Sequence, residues 1–499
     1  MTVNMKRNSY AAPALLLGLF SAQMIATIQV YLSNVHLYRS VTVVLENGYL
    51  PIPNQLIMRR LQDFGPALGG GLFFTLTVGA GISILTLGMM WIWDRIFNRR
   101  KIVAGLFILF WLLCLVGVNM NGFNPIVTAY FVVIPTMVSI AAVALMPAER
   151  DRHVRFHRAM LLVPIVILAL VWTSIMDKGL FIDIRDRILL SNPVGVTINN
   201  FYYSYTLYAA EVFKTLDRKS LKTCGLESIQ TVPISPRLER TLVHHDYLVV
   251  ENYEDADLRI IEEGGALLFQ NRGRTILKTT TEDFFSEPKR VLKEFSVKAD
   301  GHAFFRQFTI LSLLFGFPLA LYVIAYTLLF LVATLVCDMR KAAVTASVLC
   351  LVIGIALVAP MYYAKGEKID RNNVSQTIQS TRWQQRVGSL KVVVRERLEI
   401  ADFPGYETMV SHDRIPERYW LAQAFGVSRQ PETYGHLLRL LDDPQPIVVC
   451  KALEALGQRG DRAVIPEILR RFENSHHWYE QLYAYQALRT LGWKQAKSI

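Results

Sequence analysis

Seven long apolar stretches decide most of what this chain can fold into. They run near residues 11–32, 66–93, 102–118, 125–146, 159–176, 307–336 and 342–363. Each is close to the length that crosses a bilayer, about 20 residues with few or no charges. Only 19% of the 499 residues are charged, below the roughly 25% usual in soluble proteins. The sequence therefore predicts a polytopic α-helical membrane protein with about seven spans.

The spacing of these stretches divides the chain into five predicted parts. They are a five-span membrane block (1–176), an extracytoplasmic domain (177–306), a two-span membrane hairpin (307–363), a polar linker (364–380) and a helical repeat domain (381–499). The first stretch is longer than the apolar part of a secretory signal, which has about 7–15 residues, and it lacks a clear cleavage site. We interpret it as a retained membrane anchor.

Basic residues in the short turns indicate the orientation. Twelve Lys and Arg occupy the N-terminus and the turns after the second, fourth and sixth spans, whereas the opposite turns hold only Arg39, Arg59 and Arg60. Since short cytoplasmic loops are rich in Lys and Arg, we predict a cytoplasmic N-terminus. Seven spans then place 177–306 and 364–499 outside, which predicts a multi-pass protein of the cytoplasmic (inner) membrane. The net charge of +12 is mainly this topology signal, so we predict no nucleic-acid partner.

The segment 177–306 has the pattern of a small α+β domain. Four short β-rich runs are separated by turns that contain Gly and Asn, and this predicts an antiparallel meander. The runs lie near 247–251, 258–262, 266–270 and 275–279. An aromatic run at 201–205 predicts a helix whose aromatic face lies either in a core or at the membrane surface.

Small side chains recur every four residues in the second span. They are Ala67, Gly71, Thr75, Gly79 and Ser83. Small residues at this spacing let two helix backbones approach closely in lipid. Three explanations stay open: packing against another helix of this chain, docking of a partner subunit's helix, or a substrate path.

A phrase that occurs three times near the C-terminus predicts a helical solenoid. Its copies end at Gly426, Gly457 and Gly492, which are 31 and 35 residues apart. A period of this size is typical of helix pairs that bury their apolar faces against neighbouring pairs.

Residues 442–473 contain the fullest copy. Residues 442–444 open a first helix, Gly457 closes it, 460–461 form a turn, and 465–466 begin a second helix. The predicted core positions are Ala452, Leu453 and Leu456.

This pattern resembles the short HEAT-like repeat first described in phycobilisome lyases, over about 110 residues. The Arg typical of that repeat is Arg418 in the preceding copy and is absent from the middle copy. The resemblance implies a scaffold that binds proteins along the face made by its second helices. On that face it would present His436, Arg439, Arg470 and Arg471 as partner-binding residues.

Two other groups of residues are candidate sites. Cys224 and Cys450 lie on the predicted outer side, where a disulfide is possible, although the core position of Cys450 favours a buried free thiol. The run 244–246, His-His-Asp, suggests metal ligands or a base. Neighbouring side chains on a strand point to opposite faces, so we interpret the run as a turn or solvated surface.

The sequence contains no catalytic, cofactor or metal motif, and its spans contain almost no ionisable residues. Transporters usually retain such residues within their spans. The leading hypothesis is therefore a membrane-anchored scaffold or accessory subunit, with an envelope or membrane protein as partner and membrane lipids around it. The alternative is a transporter or lipid-handling component whose outer domains act as lid or receiver.

Overall fold

The computed structural model describes residues 10–146, 152–227, 234–251, 254–366 and 369–497, without the side chains of 152–158, 234 and 363–366. Several basic residues used for the orientation lie outside this part. They are Lys6, Arg7 and Arg150, together with the side chains of Arg152, Arg155 and Arg158.

Six helices of the described residues are long and apolar enough to cross a membrane. They are Ala11–Glu46, Phe64–Arg95, Lys101–Asn119, Pro125–Leu145, Ala303–Ala333 and Met339–Tyr362. A bent pair, Ala159–Ile175 and Leu180–Leu189, makes a seventh when it is counted as one span, with a bend of 108°. The first helix continues 14 residues beyond the predicted end at residue 32, because its second half packs against residues of the 177–306 segment and of the last repeat.

Helix Ala11–Glu46 lies at the centre of the bundle, and its polar side chains bind neighbouring helices. The Thr75 hydroxyl donates to Gln23 Oε1 at 2.6 Å, and Gln23 Nε2 donates to the Leu68 carbonyl at 3.0 Å. The Tyr130 hydroxyl donates to Gln29 Oε1 at 2.9 Å. Each deep amide oxygen thus accepts a hydrogen bond from another helix, which stabilises the bundle where water is excluded.

The small-residue stripe faces this same central helix. All five of its residues are buried, Ala67 and Ser83 completely. A Cβ atom added at Gly71 would lie 3.0 Å from the Thr27 nitrogen, so the two backbones are as close as glycine permits. In the structure the stripe therefore packs within the chain.

The segment 177–306 contacts one end of the bundle. Asn47, at the end of the first helix, accepts from the Glu251 backbone N–H at 3.3 Å, and Asn121 donates to the Asp300 carbonyl at 2.8 Å. The turns at 96–100 and 334–338 lie at the other ends of their helices. The turn at 96–100 contains Arg99 and Arg100, and the turn at 334–338 closely precedes Arg340 and Lys341, so these basic residues lie at the end of the bundle opposite the 177–306 segment.

A five-stranded mixed sheet forms the core of the domain that contains residues 222–298, which we call the sheet domain. Its strands are β1 (Lys222–Glu227), β2 (Tyr247–Val249), β3 (Leu258–Glu263), β4 (Ala266–Asn271) and β5 (Arg274–Thr280). Their order is β2-β1-β3-β4-β5, with β1 parallel to both of its neighbours and the other pairs antiparallel. Helices Ile234–His244, Thr281–Ser286 and Pro288–Lys298 cover the sheet.

The predicted antiparallel meander is therefore wrong at its first strand. The prediction missed β1, which contains Gly225 and lacks an alternating apolar pattern. Parallel pairing of β1 with β2 requires a crossover connection, and helix Ile234–His244 provides it.

The start of this domain also differs from the predicted boundary at 177. Helices Leu180–Leu189 and Pro193–Glu211 pack against the bundle and the repeat domain and do not join the sheet. The predicted linker 364–380 likewise contains a helix, Val374–Thr377, whose Val374 is fully buried in the core of the repeat domain.

The repeat domain consists of stacked helices. Trp383–Glu396 comes first and is followed by Ile415–Val427, Glu432–Arg439, Pro446–Arg459, Ile465–Asn474 and Trp478–Thr490. We call Ile415–Val427, Pro446–Arg459 and Trp478–Thr490 the first helices, and Glu432–Arg439 and Ile465–Asn474 the second helices.

The repeated glycines permit close stacking of successive first helices. A Cβ atom at Gly426 would lie 3.0 Å from the Ala455 Cα, and one at Gly457 would lie 3.0 Å from the Ala487 Cα. Gly457 does not close its helix as predicted; the helix continues to Arg459 and ends at Gly460, whose φ is +79°. Gly460 supplies the left-handed conformation common at helix ends.

Candidate interaction surface of the repeat domain

Among the described residues, one side of the repeat domain contacts the rest of the chain and the other side does not. The first helices, with the end of Ile465–Asn474, face the bundle, helix Pro193–Glu211 and the sheet domain. The contacts fall into three groups, which we call the lateral, central and sheet contacts.

The lateral contact joins Ile415–Val427 to the bent helix Leu180–Leu189. Asp186, only 1% exposed, binds Arg185 at 2.7 Å and Lys391 at 3.0 Å and accepts from the Trp420 indole N–H at 2.8 Å. Arg185 also donates to the Tyr419 hydroxyl at 2.6 Å and stacks over its ring. One buried carboxylate therefore balances two cations and joins three helices.

The central contact has an aromatic part and a polar part. Tyr203 packs on Tyr479 with ring centroids 4.7 Å apart, and Tyr208 packs edge-on against Trp478 at 4.9 Å. Both pairs place helix Pro193–Glu211 against the first turn of Trp478–Thr490.

Asn54 forms the polar part of the central contact. Its side-chain oxygen accepts from the backbone N–H groups of Leu56 and Ile57, which caps helix Gln55–Met58. Its amide nitrogen lies within 2.9–3.2 Å of three carbonyl oxygens, those of 472, 473 and 475, at the end of a second helix. Its backbone N–H donates to Gln481. One buried side chain thus satisfies polar groups at two helix ends.

The sheet contact uses the predicted His-His-Asp run. Asp246 has a φ of +60°, as expected in a turn, and accepts from the Tyr485 hydroxyl at 2.6 Å. Arg489 pairs with Asp246 at 3.0 Å and donates to the His244 carbonyl at 2.7 Å. This run therefore joins the sheet domain to the last repeat helix.

Within the domain, Arg418 connects two successive repeats. It is 7% exposed and forms a two-pronged ion pair with Asp443, at 2.5 and 3.1 Å. A bidentate guanidinium–carboxylate pair has a defined geometry. The middle copy lacks this Arg and has buried Val448 and Val449 at the equivalent place.

The four predicted partner-binding residues have different surroundings. His436 stacks on Phe425, with ring centroids 6.1 Å apart, and meets Tyr406 edge-on. It therefore packs inside its own repeat. Arg439 is exposed at the end of the second helix Glu432–Arg439.

Arg470 and Arg471 lie together on the other second helix. Both bind Glu467 at 2.7 Å. Arg471 also binds Asp442 and donates to the Leu441 carbonyl, so it joins neighbouring repeats and is only 23% exposed. Arg470 is 64% exposed and is the more accessible cation.

These two arginines line an open groove of about 270 Å³ between the second and third repeats. Its apolar lining is Val449, Leu453 and Ala484, and its polar lining is Asp442, Arg470, Arg471, Asn474, Ser475 and Glu480. Cations, carboxylates and a small apolar floor are thus combined in one place, which suits a side chain or short peptide segment of a protein.

Two titratable groups at this end of the groove are perturbed by burial. Burial raises the pKa of Glu480, which accepts from the Ser475 hydroxyl at 2.7 Å. Burial lowers the pKa of His477 to about 4, and its Nδ1 atom has no hydrogen-bond partner. His477 is therefore neutral near pH 7.

The remaining candidate groups do not converge on a reactive centre. Cys224 and Cys450 are both buried free thiols, and burial raises the pKa of each. Among the residues that the structure describes, no three His, Cys, Asp or Glu side chains are arranged to hold a metal ion.

Sequence reasoning missed Asn54 and Asp186, which each bind several groups of distant segments. Asn54 follows Pro53 and precedes a four-residue helix, so its local signal is only that of a turn. Asp186 lies amid Arg185 and Arg187, a charged cluster that resembles a solvated surface. Their partners are more than 200 residues away, and no local pattern indicates them.

A family profile described as HEAT repeats matches residues 407–489. This range includes both second helices and nearly all of the three first helices. The resemblance predicted from the sequence is thereby confirmed: the C-terminal region contains HEAT repeats. No curated protein and no solved structure matches the chain.

Proposed function

We propose that this protein is a membrane-anchored scaffold or accessory subunit whose HEAT repeats present a binding surface to another protein of the cell envelope. One observation carries the proposal: the first helices are held by the lateral, central and sheet contacts, while the groove beside Arg470 stays open. A solenoid held in this way offers a preformed surface, so binding needs little ordering of the scaffold.

Membrane anchoring is supported by the surface of the apolar helices. Many large apolar side chains on Lys101–Asn119 are exposed, among them Ile102, Leu106 and Leu113, each above 55%. An apolar surface of this extent is rare on a soluble monomer. The excess of Lys and Arg at the opposite end of the bundle supports an extracytoplasmic position for the sheet domain and the HEAT repeats, on an inner membrane.

The cavities give no support to the lipid-handling alternative. One, of about 60 Å³, lies where the first helix, the sheet domain and the last repeat meet. It holds a few water molecules at most, and the Lys219–Asp257 ion pair forms part of its wall. The larger groove is open and has a mixed polar lining.

Site-specific crosslinking in intact cells tests the scaffold proposal. A photoreactive amino acid replaces Gly435 or Asn474, which are exposed and lie four residues from Arg439 and Arg470 on the same second helices, so that both arginines are kept. Mass spectrometry identifies the products. We expect one envelope protein to be captured from both positions at high yield. The matched control is Lys289, an exposed cation on the sheet domain. Equal yields of the same products from Lys289, or no protein product from Gly435 and Asn474, would contradict the proposal.

A labelling experiment tests the orientation separately. Gln486 is exposed on the first helix Trp478–Thr490. A Gln486→Cys variant in a Cys337→Ser background offers one accessible thiol at this position. We expect a membrane-impermeant maleimide to label it in spheroplasts before lysis. Labelling that requires lysis would place the HEAT repeats in the cytoplasm.

A further inference from the structure

Helix Pro193–Glu211 has an exposed side that is apolar and uncharged. The sequence contains no charged residue between Arg187 and Glu211. Val194, Ile198 and Phe201 follow one another at helical spacing and are 71%, 54% and 45% exposed. A helix side that faces water normally carries charged residues. This side therefore has the composition of a surface in contact with an apolar medium.

The opposite side of the same helix is fully occupied. Asn199 is 2% exposed, and Tyr203 packs on Tyr479 of the HEAT repeats. Asn200 donates to Gln445 of the repeats at 3.4 Å. The helix thus lies between the repeat domain and the medium on its exposed side.

Packing fixes the height at which this helix meets the bundle. A Cβ atom at Gly70 would lie 3.1 Å from Val30 and 3.3 Å from Tyr208, so these three residues share one level. The exposed large apolar residues of the first helix end just above that level. They are Leu16, Phe20, Met24, Ile28, Tyr31 and Leu32. The next exposed residues on that helix are His36 and Arg39, which marks the transition from apolar to polar surroundings.

The exposed side continues onto a neighbouring candidate span. The Tyr205 ring packs against Gly69 of helix Phe64–Arg95, and Phe64 and Leu68 of that helix are 64% and 42% exposed. Tyr202, at 47% exposed, adds an amphipathic ring. Aromatic residues of this kind are enriched where a bilayer meets water.

We propose that helix Pro193–Glu211 lies in the bilayer interface of the leaflet beneath the HEAT repeats, with Val194, Ile198 and Phe201 in contact with lipid. Lipid is favoured over a protein partner because the helix packs on a candidate span beside that span's exposed Phe64 and Leu68, and because it meets the bundle close to the level at which the exposed apolar residues of the first helix end. Helices with one apolar side lie in this plane. This role does not depend on the proposed protein partner. It places the repeats directly above the membrane at a fixed height.

Spin-label accessibility in lipid nanodiscs tests the proposal on the full-length chain. The background is Cys337→Ser, because Cys337 is exposed whereas the other four cysteines are buried. Labels are attached at Ile198→Cys, at Leu109→Cys in a candidate span, and at Glu473→Cys on a second helix. Oxygen concentrates in lipid, whereas a nickel chelate stays in water. We expect the oxygen-to-nickel accessibility ratio at 198 to be severalfold higher than at 473.

Two further labels make the result specific. Val194→Cys is expected to behave as Ile198→Cys does and provides a second site if one variant does not fold. Phe201→Cys, about one turn further along the same exposed side, is expected to agree with both.

Three outcomes would overturn the proposal. A ratio at 198 equal to that at 473 would mean that this side faces water. Low accessibility to both reagents would mean that protein, such as a second copy of the chain, covers it. Water-like accessibility at 109 as well would mean that the helices are not inserted, and this outcome alone would also remove the membrane anchor from the proposed function.

Discussion

The two sides of the HEAT repeats differ in how their polar groups are satisfied. On the attached side, Asp186, Asn54 and Asp246 are buried or partly buried and bind partners from distant segments. On the groove side, Arg439 and Arg470 are exposed, and Arg470 pairs with Glu467 on its own helix. The first arrangement produces attachment and stability, and the second leaves cations accessible to a partner. This difference predicts that substitutions will affect stability on one side and binding on the other.

The largest effect is expected at Asp186. Asp186→Ala leaves Arg185 and Lys391 without their shared carboxylate, and breaking a buried ion pair costs about 3–5 kcal/mol. Hydrogen–deuterium exchange should show a loss of protection of about 100-fold or more in 383–427. Asp183→Ala is the control, since Asp183 binds Lys391 only at 3.5 Å. Similar exchange in both variants would show that the lateral contact does not hold the repeats.

Asn54 is expected to come second. Asn54→Ala removes a helix cap and the donor to three carbonyl oxygens, which should cost about 2–3 kcal/mol. The expected result is faster exchange in 465–490, with 383–396 unchanged. Asn474→Ala removes one exposed hydrogen bond to the Arg470 carbonyl and should have little effect. Wild-type protection in Asn54→Ala would contradict the assignment of the central contact.

The third effect depends on pH. Because the folded-state pKa of His477 is about 4 and its ordinary value is 6.5, the unfolded state binds the proton more tightly. Its contribution to stability is therefore lost as pH falls from 6.5 towards 4, by about 2 kcal/mol between pH 7 and 5. The difference between wild-type and His477→Asn profiles isolates this group from Glu480. Parallel exchange profiles for the two proteins across this range would refute the prediction.

A smaller effect is expected in the sheet contact. Tyr485→Phe removes the hydroxyl bound to Asp246 but keeps the ring and the Arg489 ion pair, so the cost should be about 1 kcal/mol. In an Asp246→Ala background the same change should cost clearly less, since the partner is gone. Additive losses in the double variant would mean that the two groups do not interact.

The smallest change in stability is expected on the groove side. Arg470→Ala removes an exposed pair on one helix, which contributes about 0.5 kcal/mol or less. Thermal unfolding should be unchanged while recovery of the crosslinked partner falls. Arg439→Ala is the companion variant. Marked destabilisation by either change would mean that this side also supports the fold and would remove the contrast between the two sides.

The parts predicted well are those with local or periodic signals. The apolar stretches correspond to helices with ends mostly within a few residues, and the spacing of Gly426 and Gly457 indicated the repeats. Strand β1 was missed because its pairing depends on a crossover and not on its own pattern. The predicted binding residues followed from the resemblance to HEAT-like repeats, which could not show that His436 would pack on Phe425.

Hydrophobicity and period by themselves determined that this chain forms apolar helices and ends in HEAT repeats, because both properties follow from the nearest residues along the chain. Only the tertiary structure decided that the repeats rest on helix Pro193–Glu211, that the small-residue stripe packs on the first helix, and that Asn54 and Asp186 join distant segments. Those outcomes depend on which buried polar groups find partners across hundreds of residues. An unpaired buried polar group destabilises the fold, so arrangements in which these groups are paired are favoured. The periodic pattern of the sequence does not show which groups will pair.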